Sequence, residues 1–300
     1  MQDKSLVTII CLCYNHEKYV TESLLSVVNQ DYPAIEIIVV DDFSLDNSKE
    51  MIQKWLIDYP AIQFIANETN LGSTKSFNKA LKLAKGEFII DLACDDILMP
   101  SCVSLQIKAF QKSSFKNLGV VYGNAELINE KGDFYFYYFP VDCNKKTIEK
   151  RETGDIYLSV ISGGNSICSV SSIVKRSVFD ALNGYDENLA YEDLDLWIRA
   201  SRIYDFDYID EILIKKRIST NSLGTHFFIK NDERSKKINY STYLIIKKSI
   251  CLNKNKNEHK AILKRMHFEM ILAYKTANFK LLFYYMLLEI KQRLKLFFYY

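Results

Sequence analysis

Two pairs of adjacent carboxylates follow hydrophobic runs that have the composition of buried strands. Asp41 and Asp42 follow the run IEIIVV, and Asp95 and Asp96 stand in the stretch GEFIIDLACDDILMP. Acid pairs on neighbouring strand ends would repel each other without a counter-charge, and hard oxygen ligands suit Mg²⁺ or Mn²⁺. Adjacent acids also serve as helix caps, and either pair taken alone fits that role. Their shared position after strands favours a site for a metal-bound diphosphate.

A third acidic cluster lies in the stretch NGYDENLAYEDLDLWIRA, at the start of a predicted helix over residues 192–203. Carboxylates near a helix N-terminus are favoured by the helix dipole, so capping is one interpretation. Glu192, Asp193 and Asp195 place more negative charge there than one cap requires. Because the pKa of a carboxylate in a cleft can be tuned for proton transfer, the cluster also predicts a general base.

Alternating strand and helix patterns in the first part of the chain define the elements that would position these acids. Apolar runs predict strands at residues 6–13, 35–40, 62–66 and 87–92. Helical spacing predicts helices at residues 19–29, 48–58 and 73–84. Repeated β-α-β units imply an α/β fold with a mainly parallel, Rossmann-like sheet and helices on both faces. Ligands bind at the carboxyl ends of such strands, where Asn15 follows the first strand.

The later part of the chain has a different character. Strands are predicted at residues 118–122, 134–139 and 169–174, and only helices from residue 230 onward. The segment from residue 230 has 16 Lys and Arg against 5 Asp and Glu, a net charge of +11, while residues 1–229 carry −9. This division predicts one domain over residues 1–229 and a basic helical extension over residues 230–300.

Composition also narrows the cellular setting. Seven cysteines without a CxxC pair favour a reducing cytoplasm over a disulfide framework. No pattern of an export leader is visible at the start. The longest apolar run of the tail, residues 281–288, is far shorter than the roughly 20 residues of a membrane-spanning helix. Nucleic acid is disfavoured as a partner, because no recognised module accompanies the basic tail.

The tail segment FKLLFYYMLLEIKQRLKLFFYY mixes Lys and Arg with Leu, Phe and Tyr at helical spacing. Basic amphipathic segments of this kind can lie in an anionic membrane surface. The same pattern suits helices that pack on the rest of the chain, or on a second subunit in a homo-oligomer. The sequence favours neither alternative.

Three motifs in order carry a resemblance to a known family: VTIICLCYNHEKYVTESLLSVVNQDYPAIEIIVVDDFSLDNS, NLGSTKSFNKALKLAKGEFIIDLACDDILMP and FDALNGYDENLAYEDLDLWIRAS. The chain resembles the family 2 glycosyltransferases, which have the GT-A fold, over residues 7–222. This resemblance implies an inverting enzyme that moves a sugar from a nucleotide-diphosphate sugar, expected to be a UDP-sugar, to a hydroxyl of a glycan or lipid-linked acceptor. It also implies bacterial surface polysaccharide biosynthesis at the cytoplasmic face of the membrane.

Individual roles follow from the same resemblance. Asp41 and Asp42 match the acids that hold the uracil and ribose of the donor, and Asn15 is assigned to the same nucleotide-sugar site. Asp95, with Asp96 beside it, matches the end of the DXD motif that coordinates Mn²⁺ or Mg²⁺ and thereby the diphosphate.

The implied general base is Asp193, with Glu192 beside it. It would remove the proton of the acceptor hydroxyl, which attacks the anomeric carbon from the face opposite the diphosphate. The metal would stabilise the charge that develops on the departing nucleotide.

Several positions depart from the family pattern. Ala93 replaces the first acid of the metal motif, and Ser219 stands where many relatives carry a His. Metal affinity would then be reduced, or His226 would take the place of the missing ligand. Phe77 replaces an Arg that often contacts the nucleotide.

These losses keep two other functions open. One is a non-catalytic nucleotide-sugar-binding or scaffold subunit. The other is a nucleotidyltransferase, which usually needs a Gly-rich phosphate loop, whereas the stretch CLCYNHEKYV contains no glycine.

Overall fold

The strands of the described residues form one mixed sheet. The computed structural model describes residues 5–164, 166–219 and 226–297, so residues 220–222, where the family resemblance ends, lie outside it. The strands in the described part are β1 Val7–Cys13, β2 Ile35–Asp41, β3 Gln63–Ala66, β4 Phe88–Ala93, β5 Ile97–Leu98, β6 Leu118–Ile128, β7 Phe134–Tyr137, β8 Ile173–Lys175 and β9 Asp205–Arg217. Their order is β3-β2-β1-β4-β8-β6-β9-β5, and β7 pairs with β6.

The predicted parallel sheet is confirmed in the first half of this order. β1 pairs in parallel with β2 and β4, and β2 pairs in parallel with β3. Val7, Ile9, Ile10 and Cys11 of β1 are fully buried, as expected for a parallel strand that is covered on both faces. β6 pairs in parallel with β9, whereas β8 is antiparallel to both β4 and β6.

The helices of the described residues agree with the helical patterns of the sequence and add three that were not predicted. They are α1 Val20–Val28, α2 Ser48–Trp55, α3 Ser73–Leu81, α4 Cys102–Lys112, α5 Tyr157–Ser162, α6 Arg176–Leu182, α7 Glu192–Ser201, α8 Glu233–Leu252, α9 Lys256–Lys275 and α10 Phe279–Phe297. The helical tail is confirmed by α8, α9 and α10. The additional helices are α4, α5 and α6.

The strand predicted at residues 169–174 is only partly present. A 3-10 turn at Ser169–Ser171 precedes β8. The hydroxyl of Ser171 accepts from the N–H of Gly123 (3.1 Å) and donates to its carbonyl (2.8 Å), in place of ladder hydrogen bonds. A side chain therefore satisfies the backbone of β6 at this point.

Two compact units divide the chain. The sheet unit consists of Met1–Gly154, Ile167–Tyr185 and Tyr204–Ile218, and the helical unit consists of Asp155–Ser166, Asp186–Ile203 and Ser219–Tyr300. This division differs from the boundary predicted between residues 229 and 230, because α5 and α7 share a unit with the tail helices. The predicted boundary concerns domains that fold independently, and it stays a prediction.

Polar contacts link segments of the helical unit and cap one of its helices. The hydroxyl of Ser241 on α8 accepts from the N–H of Ala190 (2.7 Å), just before α7. Tyr157 on α5 donates to Oδ1 of Asn253 (2.7 Å) at the end of α8. Asp232 caps α8 through the N–H of Ser235 (2.7 Å), as a short acid at a helix start commonly does. None of the helices described is long and apolar enough to cross a membrane.

Candidate functional site

The carboxyl ends of β1, β2 and β4 lie side by side in the sheet unit. Leu12 pairs with Ala93 across β1 and β4, and the N–H of Asp42 donates to the carbonyl of Cys13 (2.9 Å). This register brings both acid pairs to one edge of the sheet, as expected from their positions after strands.

The carboxylate of Asp42 holds the chain from the end of β3 into the first turn of α3. It is 5% exposed and accepts four hydrogen bonds of 2.8–2.9 Å, two from backbone N–H groups and two from side chains. The donors are Asn67 Nδ2, Leu71 N, Gly72 N and Ser76 Oγ. Both of its oxygens therefore already have donors from this segment.

Asp41 differs from its neighbour. Its Oδ2 accepts from the N–H of Ser44 (3.2 Å), but its Oδ1 is buried and has no hydrogen-bond partner among the described residues. A buried carboxylate oxygen without a donor is costly, so such an atom marks a position where a ligand donor is expected.

Asn15 shapes the loop that follows β2. Its backbone has a φ of +58°, a left-handed conformation that asparagine tolerates better than most residues. Its Oδ1 accepts from the N–H of Leu45 (2.8 Å), and its own N–H donates to Ser44 Oγ (3.0 Å). The loops after β1 and β2 are thereby fixed to each other.

Asp95 and Asp96 follow β4 but have different surroundings. The side chain of Asp95 is 19% exposed, and its Oδ2 lies 3.9 Å from Nε2 of His16. Asp96 is buried, and its Oδ1 accepts from the backbone N–H of Arg217 (2.7 Å). Burial, and then the charge of Asp95, raise the pKa of Asp96 to about 8. The accessible carboxylate of this turn is therefore that of Asp95.

The donor set at this turn fits a cation that is shared with a diphosphate. The described residues contain no group of three or more His, Cys, Asp or Glu side chains that could hold a metal ion. Asp95 and His16 nevertheless lie close together, and Nδ1 of His16 is buried without a hydrogen-bond partner in the part of the chain that the structure describes. Mg²⁺ at nucleotide sites is usually bound by one or two carboxylates together with substrate phosphates, so the one accessible carboxylate of Asp95 is sufficient.

The acidic cluster at the start of α7 lies in the helical unit and divides into two kinds of residue. Asp195 is 1% exposed and accepts from Arg199 Nε (2.7 Å) and Lys248 Nζ (3.0 Å). Glu192 and Asp193 are half-buried in the first turn of α7. Asp195 therefore has a structural role, and the other two acids are the accessible ones.

Two of the unusual positions have clear local roles. Phe77 is fully buried, with its ring centroid 5.2 Å from that of Phe179 and 4.6 Å from that of Tyr185, so it belongs to the core of the sheet unit. His226 lies in the helical unit, where its Nδ1 is 3.4 Å from Oδ2 of Asp232.

Comparison with known proteins identifies the family. The fold is that of the GT-A glycosyltransferases, and the chain belongs to glycosyl transferase family 2, whose model matches residues 8–180. It is 33% identical over 220 residues to an uncharacterized glycosyltransferase of Methanocaldococcus jannaschii, and the aligned region covers 72% of each chain. It is also 30% identical over 233 residues to an uncharacterized glycosyltransferase of Rickettsia felis. The aligned region covers 76% of this chain but 36% of that protein.

Two solved structures show the same architecture at low sequence identity. TarS of S. aureus (residues 1–349), in complex with UDP-GlcNAc, has a TM-score of 0.65 and 20% identity, over 86% of this chain and 71% of that one. The mannosyltransferase PcManGT of Pyrobaculum calidifontis, in complex with GDP-Man and Mn²⁺, has a TM-score of 0.62 and 16% identity, over 92% and 73%. The predicted family and GT-A fold are thus confirmed, and the nucleotidyltransferase alternative is not supported.

Proposed function

We propose that the protein transfers a sugar, with inversion, from a nucleotide-diphosphate sugar to a hydroxyl of a glycan or lipid-linked acceptor. The observation that carries this proposal is the meeting of both acid pairs at the carboxyl edge of β1, β2 and β4. Family membership supports the class of reaction. We further propose that the donor is a UDP-sugar and that the reaction belongs to the biosynthesis of a bacterial surface polysaccharide.

The donor nucleotide is proposed to bind along Asp41 and Asn15. The Oδ1 of Asp41, which has no hydrogen-bond partner among the residues described, is an acceptor for an N–H of the base or a hydroxyl of the ribose. Asp42 supports this site without contacting the nucleotide, because its four hydrogen bonds fix the chain from the end of β3 into the first turn of α3. Asn15 holds the adjoining loops in place through Leu45 and Ser44.

Asp95 is the proposed protein ligand for a divalent cation, with His16 near it and Asp96 supporting the turn. When bound, Mn²⁺ or Mg²⁺ would offset the negative charge of the departing diphosphate. The Mn²⁺ in the PcManGT complex supports the use of a divalent metal in this fold.

Asp193 is the proposed general base. Its side chain is half-buried in the first turn of α7, where its Oδ1 accepts from the N–H of Leu194 (2.7 Å), whereas the side chain of Asp195 is buried. Glu192 lies beside it and is the second candidate. The base would accept the proton of the acceptor hydroxyl as the bond to the anomeric carbon forms.

A non-catalytic nucleotide-sugar-binding subunit is the competing function. Ala93 is exposed at the edge of the sheet, in the place where the family pattern has a further metal-binding acid. Fewer oxygen ligands would weaken the hold on the diphosphate.

The test is a panel of UDP-, GDP- and dTDP-sugars, each given to the purified protein with Mn²⁺ and a crude lipid acceptor. Release of one nucleotide, with a product of inverted anomeric configuration by NMR, is the expected result. A retained configuration would refute the proposed inversion, and tight nucleotide binding without release would favour the non-catalytic alternative.

We also propose that the protein acts at the cytoplasmic face of the membrane, bound peripherally through α10. Apolar side chains form an exposed stripe on this helix at positions 279, 283, 286, 287, 290, 294 and 297. Lys280, Lys291 and Arg293 are also exposed on α10. A basic helix with an apolar face suits an anionic lipid surface, where each cation contributes about 1 kcal/mol. Pairing of two copies through this stripe is the alternative.

A further inference from the structure

Arg217 is a buried residue that the sequence patterns did not single out. It ends β9, where it pairs in parallel with Ile128 of β6, and its side chain is 2% exposed. Its guanidinium carbon lies 4.3 Å from the ring centroid of Tyr19, the residue before α1, close enough for a cation–π interaction. The residue is therefore covered by other segments of the sheet unit.

The hydrogen bonds of Arg217 join three neighbouring segments. Its Nε donates to the carbonyl of Asp95 (3.0 Å), and its Nη1 donates to the carbonyls of Asn129 (3.1 Å) and Glu130 (3.3 Å). Its Nη2 donates to Oε2 of Glu22 on α1 (3.0 Å). Only arginine has this planar set of donors, so one side chain can hold the β4–β5 turn, the β6–β7 turn and α1 together.

The backbone of Arg217 also contacts the same turn. Its N–H donates to the carboxylate of Asp96 (2.7 Å), while its side chain binds the carbonyl of Asp95. The turn is thus held at two points by one residue. Neither contact uses the carboxylate of Asp95, whose Oδ2 instead lies near His16.

We propose that Arg217 is a positioning residue that fixes the Asp95 carboxylate for a cation shared with the donor diphosphate. This inference rests on the proposed role of Asp95. Outer-shell groups that orient a metal ligand typically change metal affinity by about 10- to 100-fold when they are replaced. Lysine cannot reproduce the contacts, because it has one donor nitrogen in place of three.

The experiment measures UDP or GDP binding, whichever the wild-type protein binds more tightly, as a function of Mn²⁺ concentration and in EDTA. For Arg217→Lys we expect the Mn²⁺ concentration at half-maximal binding to rise about 10- to 100-fold, with nucleotide affinity in EDTA changed little. Arg176→Lys is the matched control. Arg176 begins α6 and also donates to a backbone carbonyl of the sheet unit, that of Ala84. This variant should respond to Mn²⁺ as the wild type does.

Glu22→Ala is a milder second variant, which removes only the carboxylate partner of the guanidinium. We expect a smaller shift in the same direction, and this variant decides the question if Arg217→Lys does not fold. If the wild-type protein responds to Mn²⁺ and the folded variants reach half-maximal binding at the same Mn²⁺ concentration, the role of Arg217 is overturned. A wild-type protein whose nucleotide binding ignores Mn²⁺ would instead refute the metal site itself, and the role of Arg217 with it.

Discussion

At the scale of single residues, the neighbours Asp41 and Asp42 provide a contrast within one motif. Asp42 accepts four hydrogen bonds, so Asp42→Asn replaces an acceptor oxygen with a donor that faces other donors. We expect this variant to lose about 1–3 kcal/mol of unfolding free energy and to melt several degrees lower. Asp58→Asn, at an exposed position, is the control. Equal melting temperatures for the two variants would contradict the structural role of Asp42.

The opposite result is expected at Asp41. Its Oδ1 has no partner in the described part of the chain, and an Asn oxygen can still accept from the N–H of Ser44, so Asp41→Asn should not lower the melting temperature. Because the lost acceptor is the one proposed for the donor nucleotide, nucleotide affinity should fall about tenfold or more. Thermal melts and nucleotide titrations on the same preparation separate the two effects. A destabilised variant with normal affinity would show that the assignment is wrong.

At the scale of elements, the helices and strands that depend on local sequence could be predicted, and those that depend on contacts distant in sequence could not. β1 to β4 and α1 to α3 could be located from local apolar periodicity, and the acids at the sheet edge followed from the strand ends. β9 was missed because charged residues interrupt its sequence, DFDYIDEILIKKR, and its strand form depends on pairing with β6 and β5. Arg217 was missed because its contact partner, Asp95, is 122 residues away in the sequence. No spacing rule covers such a distance.

The apolar stripe of α10 gives a prediction for this element. The double variant Leu287→Gln/Ile290→Gln should lower binding to phosphatidylglycerol vesicles at least tenfold, because both side chains are more than half exposed and would be buried in lipid. Ile57→Gln, at an exposed apolar position of the sheet unit, is the control and should bind normally. Unchanged vesicle binding in the double variant, with a loss of dimers in size-exclusion chromatography, would favour a second copy as the partner.

At the scale of the whole molecule, the tail helices share a compact unit with the segment that carries Asp193. Lys248 of α8 donates to the carboxylates of both Asp186 and Asp195, and thus ties the start of α7 to the tail. A chain truncated at Lys230 would lose this support, so the role of the tail is better tested by substitutions. Neither contact could be predicted from the sequence, because each pairs residues more than 50 positions apart.

Lys248→Met tests this link through the pH dependence of stability. Burial acts to raise the pKa of Asp186, but hydrogen bonds from Lys248 and Asn188 outweigh it and lower the pKa. The stabilisation is therefore present above the ordinary carboxyl pKa and is lost as the pH falls through the lowered value. We expect the variant to be about 1 kcal/mol less stable at pH 7, with the difference vanishing in acid. Lys247→Met, at an exposed neighbouring position, should match the wild type.

The central claim is glycosyl transfer in which Asp95 holds the donor diphosphate through a metal and Asp193 acts as the base. The most direct measurement is nucleotide release from the active donor by wild type, Asp95→Ala and Asp193→Asn, with Mn²⁺ and with EDTA. We expect Mn²⁺-dependent release by the wild type and a loss of at least about 100-fold in both variants. Asp193→Asn should still bind nucleotide with Mn²⁺, whereas Asp95→Ala should not respond to the metal. Undiminished release by either variant would contradict the claim.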